Sequence, residues 1–312
     1  MRLAILPTPL VEAPRLAEAL GVRSLYVKRD DLTGFAVAGN KARQLEQLLD
    51  EALARGADTL VTGGTPGSNF VQAASAAAAW AGLGCHLVLA GSARPARSHP
   101  NLAAAVAWGA ELHWTDDPDR GSVDGALTRV AVGLVGRGLV PYVMPRGGAN
   151  ATGASGYRLA ADELLAQLPV DEPPVVVVST GAGGTLAGLV AGNVALGRPF
   201  RLVGASVSRS PDQVAERVLA LAREVAGQRG EPAPTEADVQ VVDARGPGHA
   251  LPSHEGDLAA DLALRTAGLV LDPVYTAKAL AVLPSVVGDG PAVFWHTGGL
   301  LDAVAAFLKE PT

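Results

Sequence analysis

Apolar positions along this chain follow two rhythms. Short β-rich runs alternate with longer stretches whose apolar residues recur every three or four positions. The runs SLYVKRD, DTLVTGG, CHLVLAG, AELHWT, VPYVMPRGG, PVVVVST, FRLVGASV and PAVFWHTGG predict strands. A continuous run such as VVVV suits a strand buried on both faces of a parallel sheet. Between the runs, Leu45, Leu48, Leu49, Ala52 and Leu53 recur at helical spacing and form one apolar face. Asn40 is the predicted N-cap of that helix and Gly56 its stop. The alternation predicts an α/β protein with open, mostly parallel sheets flanked by helices. The most loop-like stretch, AGQRGEPAPTEAD (residues 226 to 238), predicts a surface excursion before the strand-like VQVVD. A softer boundary falls at PRGGANATGAS, residues 145 to 155.

Composition narrows the classes. With 312 residues, 48% of them hydrophobic and 18% charged, the chain suits one large or two medium domains with buried cores. The net charge is −6 and no basic run carries interleaved aromatics, so a nucleic-acid partner is not expected. Cys85 is the single cysteine, which excludes an internal disulfide and a cysteine metal cluster. Its setting, GCHLVLAG, is that of a small buried hydrophobe. The six histidines are scattered and suggest no metal site. The apolar run SAAAAWAGLG is too short to span a bilayer, and MRLAILPTPLVEAP lacks signal-peptide features. A cytoplasmic protein without a membrane partner is the expectation.

Candidate chemistry begins at VVVVSTGAGGTLAGLVAG, residues 175 to 192. A buried strand runs into a glycine-rich turn and then a helix. Gly181, Gly183 and Gly184 permit close backbone approach, and the N–H groups opening the helix can point at an anion. Thr180 and Thr185 add hydroxyls. Leu186 stands where a dinucleotide fingerprint wants glycine, and no Gly-Lys-Ser/Thr follows, so neither a dinucleotide nor a nucleoside triphosphate is indicated. Without a ligand the same stretch is a tight strand–helix turn.

Lys41 is the second candidate. The chain has only four lysines, Lys28, Lys41, Lys278 and Lys309, against 21 arginines. A lysine at a helix start, especially a buried one, is pushed toward the neutral amine that reacts with carbonyls. Taken alone, Lys41 reads better as one exposed charge in a helix that also carries Arg43. Three weaker signals stand at other predicted strand ends or helix starts: Ser68-Asn69 after Gly63-Gly64, His296-Thr297 before a Gly-Gly turn, and Tyr275 before a helix. Open α/β sheets gather ligands at strand ends. A lysine, a phosphate cradle and a strand-end hydroxyl together suit pyridoxal phosphate, which needs an amine for its aldehyde, donors for its phosphate and a partner for its ring nitrogen.

The segments TPL, VKRDDLTG, GNKARQLE, GG…SN, STGAGGTLAGL, GLVLDPVYTAKAL and HTGG occur in an order that spans nearly the whole chain. In them the sequence resembles the fold-type II pyridoxal-phosphate enzymes, in the group of D-cysteine desulfhydrase and 1-aminocyclopropane-1-carboxylate deaminase. The resemblance implies a tryptophan synthase β-like architecture of two domains, a smaller one at residues 38–148 and a larger one at 1–37 plus 149–312. It also implies a homodimer. Lys41 matches the lysine that holds the cofactor's aldehyde and then moves protons. Asn69 matches the neighbour of the phenolic oxygen, and Ser68 a hydroxyl near the substrate carboxylate. Thr180, Gly181, Ala182, Gly183, Gly184 and Thr185 match the phosphate loop. Thr297 matches the residue facing the ring nitrogen, and Tyr275 a tyrosine facing the substrate.

The implied activity is elimination from a small amino acid to a keto acid and ammonia, with D-cysteine as the model substrate. Cyclopropane-ring deamination, racemisation, β-replacement and binding without turnover are the alternatives. Thr276 stands where the cyclopropane deaminases typically have Glu. The chain departs from the group's pattern in GGTPGSNF, with a residue added near Gly67, its Gln missing and Phe70 in place of a histidine. His249 stands where the group usually has tyrosine. Phe70 and His249 are expected on the substrate side of the pocket.

Overall fold

The structure is a computed structural model that describes residues 1–169, 172–248 and 250–308. Its strands are β1 (Leu10–Glu12), β2 (Ser24–Arg29), β3 (Thr59–Gly64), β4 (Gly84–Leu89), β5 (Glu111–Trp114), β6 (Pro141–Val143), β7 (Val175–Thr180), β8 (Arg201–Ser206), β9 (Gln240–Asp243) and β10 (Pro291–His296). The helices are α1 (Pro14–Leu20), α2 (Lys41–Ala54), α3 (Asn69–Ala81), α4 (Pro100–Ala107), α5 (Ser122–Val135), α6 (Ala151–Gln167), α7 (Gly184–Ala195), α8 (Pro211–Arg229), α9 (His254–Ala267), α10 (Thr276–Val287) and α11 (Leu300–Phe307).

The strands form a six-stranded sheet, ordered β1-β2-β10-β7-β8-β9, and a four-stranded sheet, ordered β5-β4-β3-β6. Every pairing is parallel except that of the edge strand β1 with β2. The VVVV run shows why. Val175 and Val177 pack into a core with residues of α1, α9 and α10, while Val176 and Val178 pack into another with residues of α6, α7 and α8. Side chains alternate across a strand, so burial on both faces requires apolar residues at every position.

Each predicted strand is present. β1 was not predicted, because three partly exposed residues at an edge carry almost no pattern. Three local expectations are corrected. Leu53 is exposed, because α2 ends one residue later and its last turn leaves the core. Asn40 has helical backbone angles and makes no capping bond, its amide being used elsewhere. The stretch 226 to 238 is only partly loop, since α8 runs on to Arg229 and closes on the left-handed Gly230. Gly56 does follow the end of α2, in a left-handed conformation (φ +70°).

Both sheets reverse direction at one place. In the larger sheet β7, β8 and β9 step one way while β10 lies on the other side of β7. In the smaller sheet β3, β4 and β5 step one way while β6 lies on the other side of β3. Helices following such strands diverge to opposite faces and leave a crevice at the strands' carboxyl ends. The chain segments that follow β3, β6, β7 and β10 all reach one cavity.

Candidate active site

The cavity gathers Lys41, Ser68, Asn69, the whole turn from Thr180 to Thr185, Tyr275 and Thr297. His296 is the exception among the strand-end candidates. Its ring is buried, and its Nδ1 accepts the Gly298 N–H at 3.3 Å, so it holds the turn rather than lining the space.

Lys41 opens α2 and is partly buried. Its Nζ donates to Gln44 Oε1 at 3.2 Å, and no carboxylate pairs with it among the described residues. Burial without a counter-charge pushes its pKa down to about 8. The other described lysines are spoken for. Lys28 pairs with Glu163 and donates to the Thr8 carbonyl at 2.8 Å, and Lys278 donates to the Arg245 and Gly248 carbonyls at 2.6 and 3.2 Å. Arg43, two residues on, is buried against Asp30 and Glu163. Lys41 is thus the described lysine with neither a carboxylate nor a backbone-carbonyl partner. Reductive methylation of the ligand-free protein with formaldehyde, followed by peptide mapping, is expected to label Lys41 with a midpoint near pH 8. A midpoint near 10.4, the ordinary lysine value, refutes this.

The turn after β7 is shaped to receive an anion. Gly183 has φ +98°, a conformation that favours glycine. No side chain caps α7 and no acidic residue lies in its first turn, so the N–H groups there retain their capacity and their partial positive charge. The amide of Gln44 is fully buried beside this turn. Its Nε2 has no partner, and a Cβ added at Gly184 would lie 2.6 Å from it. Asn40, the residue expected to cap α2, instead donates through Nδ2 to Thr185 Oγ1 at 3.0 Å and so ties Lys41's helix to the turn.

On the opposite side Thr297 leaves β10. Its hydroxyl lies 3.0 Å from that of Ser179 at the end of β7, a contact across the reversal point of the larger sheet. Its carbonyl accepts the Asn40 N–H at 2.9 Å. This close approach needs Gly39, where an added Cβ would sit 2.4 Å from that carbonyl oxygen.

Tyr275 packs against the turn, since a Cβ at Gly181 would meet its ring at 3.1 Å. Burial, reinforced by the carboxylates of Asp272 and Asp302, pushes its phenol up to about 12, so it stays protonated at neutral pH. Asp272 was not singled out from the sequence, although an Asp shortly before a helix is a capping signal. It is buried and accepts the N–H groups of Val274, Tyr275 and Thr276 at 3.0, 2.7 and 3.0 Å, fixing the segment that presents the tyrosine. The Thr276 hydroxyl donates to Asp272 Oδ2 at 2.6 Å and lies outside the cavity wall. Gln44 and Ser179 were not singled out either, and Asn40 was read only as an N-cap, since nothing in their local pattern points to the cavity.

The departures near Gly67 also acquire places. The Gly67 carbonyl accepts from Asn101 Nδ2 at 3.1 Å, which also reaches the Asp302 carboxylate at 3.1 Å. Phe70 lines the cavity, but its ring is buried in the core of the smaller sheet, against Gly148. Ser68 Oγ accepts the Phe70 N–H at 3.3 Å. His249 lies outside the described residues. Among the described residues no group of His, Cys, Asp and Glu is arranged to hold a metal ion, and no helix is long and apolar enough to cross a membrane. Cys85 is buried, with its thiol pushed up to about 11 by burial.

The donor set suits pyridoxal phosphate: an unpaired amine, an uncapped helix N-terminus beside an unpartnered buried amide, and a neutral hydroxyl at a strand end. Comparison with known proteins agrees. D-Cysteine desulfhydrases from Salmonella typhi and Salmonella newport are each 38% identical to this chain over 320 residues, covering 98% of it and 94% of their own length. The crystal structure of an ACC deaminase homologue superimposes with a TM-score of 0.89 at 33% identity, covering 96% of this chain and 91% of that one. Serine racemase from Dictyostelium discoideum shares the fold, with a TM-score of 0.65 at 16% identity over 95% of this chain and 93% of its own. The family described as "Pyridoxal-phosphate dependent enzyme" matches residues 1–298, and the chain belongs to it.

Proposed function

We propose that this protein is a lyase that eliminates the β-substituent of a small amino acid, of the D-cysteine type, to give a keto acid and ammonia. The observation that carries the reading is Lys41, the described lysine without a carboxylate or backbone-carbonyl partner, placed in one cavity with the uncapped start of α7. The full-length relationship to D-cysteine desulfhydrases supplies the reaction class. Bound pyridoxal phosphate supplies an electron sink for the pair released at the α-carbon.

The chain's own groups divide the remaining work. The turn from Thr180 to Thr185, with the N–H groups that open α7, would hold the phosphate. Thr297 would offer a neutral hydroxyl to the ring nitrogen of the bound cofactor, and Asn69 would face its ring oxygen. Lys41 Nζ secures the cofactor at rest and takes the α-proton in turnover. Ser68 orients the substrate carboxylate. Tyr275, protonated and packed on Gly181, stands ready to give a proton to the departing group. With D-cysteine the Cα–H and Cβ–S bonds break, the proton passing to the base and the sulfur leaving with its electron pair. Water then releases the remaining three carbons as pyruvate and the α-nitrogen as ammonia. The four-stranded sheet falls within residues 38–148, which we assign as the smaller domain.

The test is a visible absorbance spectrum of the cofactor-loaded protein before and after D-cysteine, with sulfide and pyruvate measured in parallel. The expected result is a spectral shift with one sulfide per pyruvate. A spectrum indifferent to D-cysteine and L-cysteine, with no sulfide, overturns the reading.

A further inference from the structure

A second cavity adjoins the first and shares Ser68, Gly147, Gly181, Ala182 and Tyr275 with it. Four arginines line it: Arg120, Arg146, Arg209 and Arg217. They come from four places. Arg120 precedes α5, Arg146 follows β6, Arg209 follows β8 and Arg217 lies on α8. Both sheets therefore contribute, in a chain whose net charge is −6.

Most of this charge is not neutralised. Arg146 is paired with Asp124 at 2.6 Å. Arg120, Arg209 and Arg217 form no ion pair among the described residues, although Asp119 is near enough to Arg120 to be felt. Each of the three donates to a backbone carbonyl: Arg209 Nη1 to Gly181 at 3.1 Å, Arg217 Nε to Ala182 at 2.8 Å, and Arg120 Nη2 to Ser208 at 3.4 Å. A guanidinium has five N–H donors, so each of these bonds leaves most of the group's capacity unused. Burial pushes Arg209 down to about 10, and the guanidiniums of Arg120, Arg217 and Arg146 push the same way. Arg209 therefore remains charged at neutral pH. Asp124 and Asp119 offset only part of the four arginines' charge; like charges held together with too few counter-ions are costly, and an oxyanion that accepts from several guanidiniums removes the cost.

We infer that the substrate's β-substituent carries an oxyanion, which the Arg120–Arg146–Arg209–Arg217 cavity binds while the α-amino acid end reaches the cavity of Lys41. The inference rests on the elimination reading and specifies the leaving group. The Cα–H bond gives its proton to the base, and the Cβ–X bond breaks with its electron pair going to X. X then departs with its negative charge beside the guanidiniums, and water yields the keto acid and ammonia. Arg209 and Arg217 also brace the carbonyls of the phosphate turn, so charge at the leaving group and geometry at the cofactor are joined through residues 181 and 182.

The test is steady-state keto-acid formation by the cofactor-loaded enzyme. The panel is cysteine, O-phosphoserine, S-sulfocysteine and 3-sulfoalanine, each as both enantiomers. The expected result is a kcat/KM for at least one oxyanion-bearing compound about tenfold or more above that for cysteine of the same configuration. In Arg120→Gln that ratio is expected to fall roughly 10- to 100-fold, the worth of a hydrogen bond to a charged group. Thiosulfate is expected to compete with substrate in the wild type and to do so more weakly in Arg120→Gln, a readout that holds even if the ratio is hard to measure. Turnover of cysteine alone, with no competition by thiosulfate, overturns this inference and leaves the elimination reading intact. No keto acid from any compound overturns both.

Discussion

Lys41→Ala is expected to lower keto-acid formation by about 10³-fold or more, while Lys278→Ala keeps the cofactor bound to Lys41. The size follows from the roles the residue combines. A positioned proton-transfer group alone is worth about 10²- to 10⁴-fold, and here the same amine also fixes the cofactor. The hydrogen-bond partners of the described lysines make the choice sharp. Lys278 donates to two backbone carbonyls and Lys28 to a carboxylate, a carbonyl and an amide, whereas Lys41 Nζ donates, among the described residues, to Gln44 Oε1. The measurement is borohydride reduction of the loaded protein followed by peptide mapping, with turnover measured beside it. A reduced cofactor adduct on Lys278 in the wild type, or near-normal turnover by Lys41→Ala, removes Lys41 from its assigned place.

Much of this site was readable because its parts lie where local pattern is strongest. A buried strand, a glycine-rich turn and a helix declare themselves within residues 175 to 192, and Lys41 is marked by its rarity in an arginine-rich chain. The sheets were legible for the same reason, since strands buried on both faces are written as unbroken apolar runs. What stayed hidden depends on distance along the chain. The four arginines of the second cavity are isolated at positions 120, 146, 209 and 217, so no basic run announces them. Asn40 has the residue type of an N-cap, yet its amide goes to Thr185, 145 residues away. Thr276 was legible as a distinguishing position, but its physical partner, Asp272, was not. A side chain's choice between its own helix and a distant neighbour is made by packing, which local spacing does not record.

The largest stability effect is expected at Arg43, which anchors the helix that Lys41 opens. Its guanidinium donates to both oxygens of Asp30 at 2.9 to 3.2 Å and to both oxygens of Glu163 at 2.7 and 2.9 Å. Asp30 is fully buried and also accepts from Thr8, Tyr157 and Trp295, which come from three distant segments of the chain. Burial opposes ionisation of Asp30, but Arg43 and these donors outweigh it and hold the carboxyl below its ordinary value. The same balance holds Glu163 down. Arg43→Met keeps the length of the side chain and removes the charge, leaving two carboxylates in the interior with too little to offset them. Breaking a buried pair in this way costs about 3–5 kcal/mol, and urea unfolding at pH 7 is expected to show it as a lowered midpoint. The pH dependence gives a second check. A carboxyl with a depressed folded pKa stabilises above its unfolded value, near 4, and that contribution is lost as pH falls through the folded value. In Arg43→Met burial acts on Asp30 without its main counter-charge, so its carboxyl rises and the variant tolerates protonation better than the wild type. The stability gap between the two proteins is therefore expected to be widest near neutral pH and to narrow toward pH 4 and below. A gap that is constant across this range, or smaller than about 1 kcal/mol at pH 7, means that the buried charges do not hold α2 in place and that the apolar face of Leu45, Leu48 and Leu49 does.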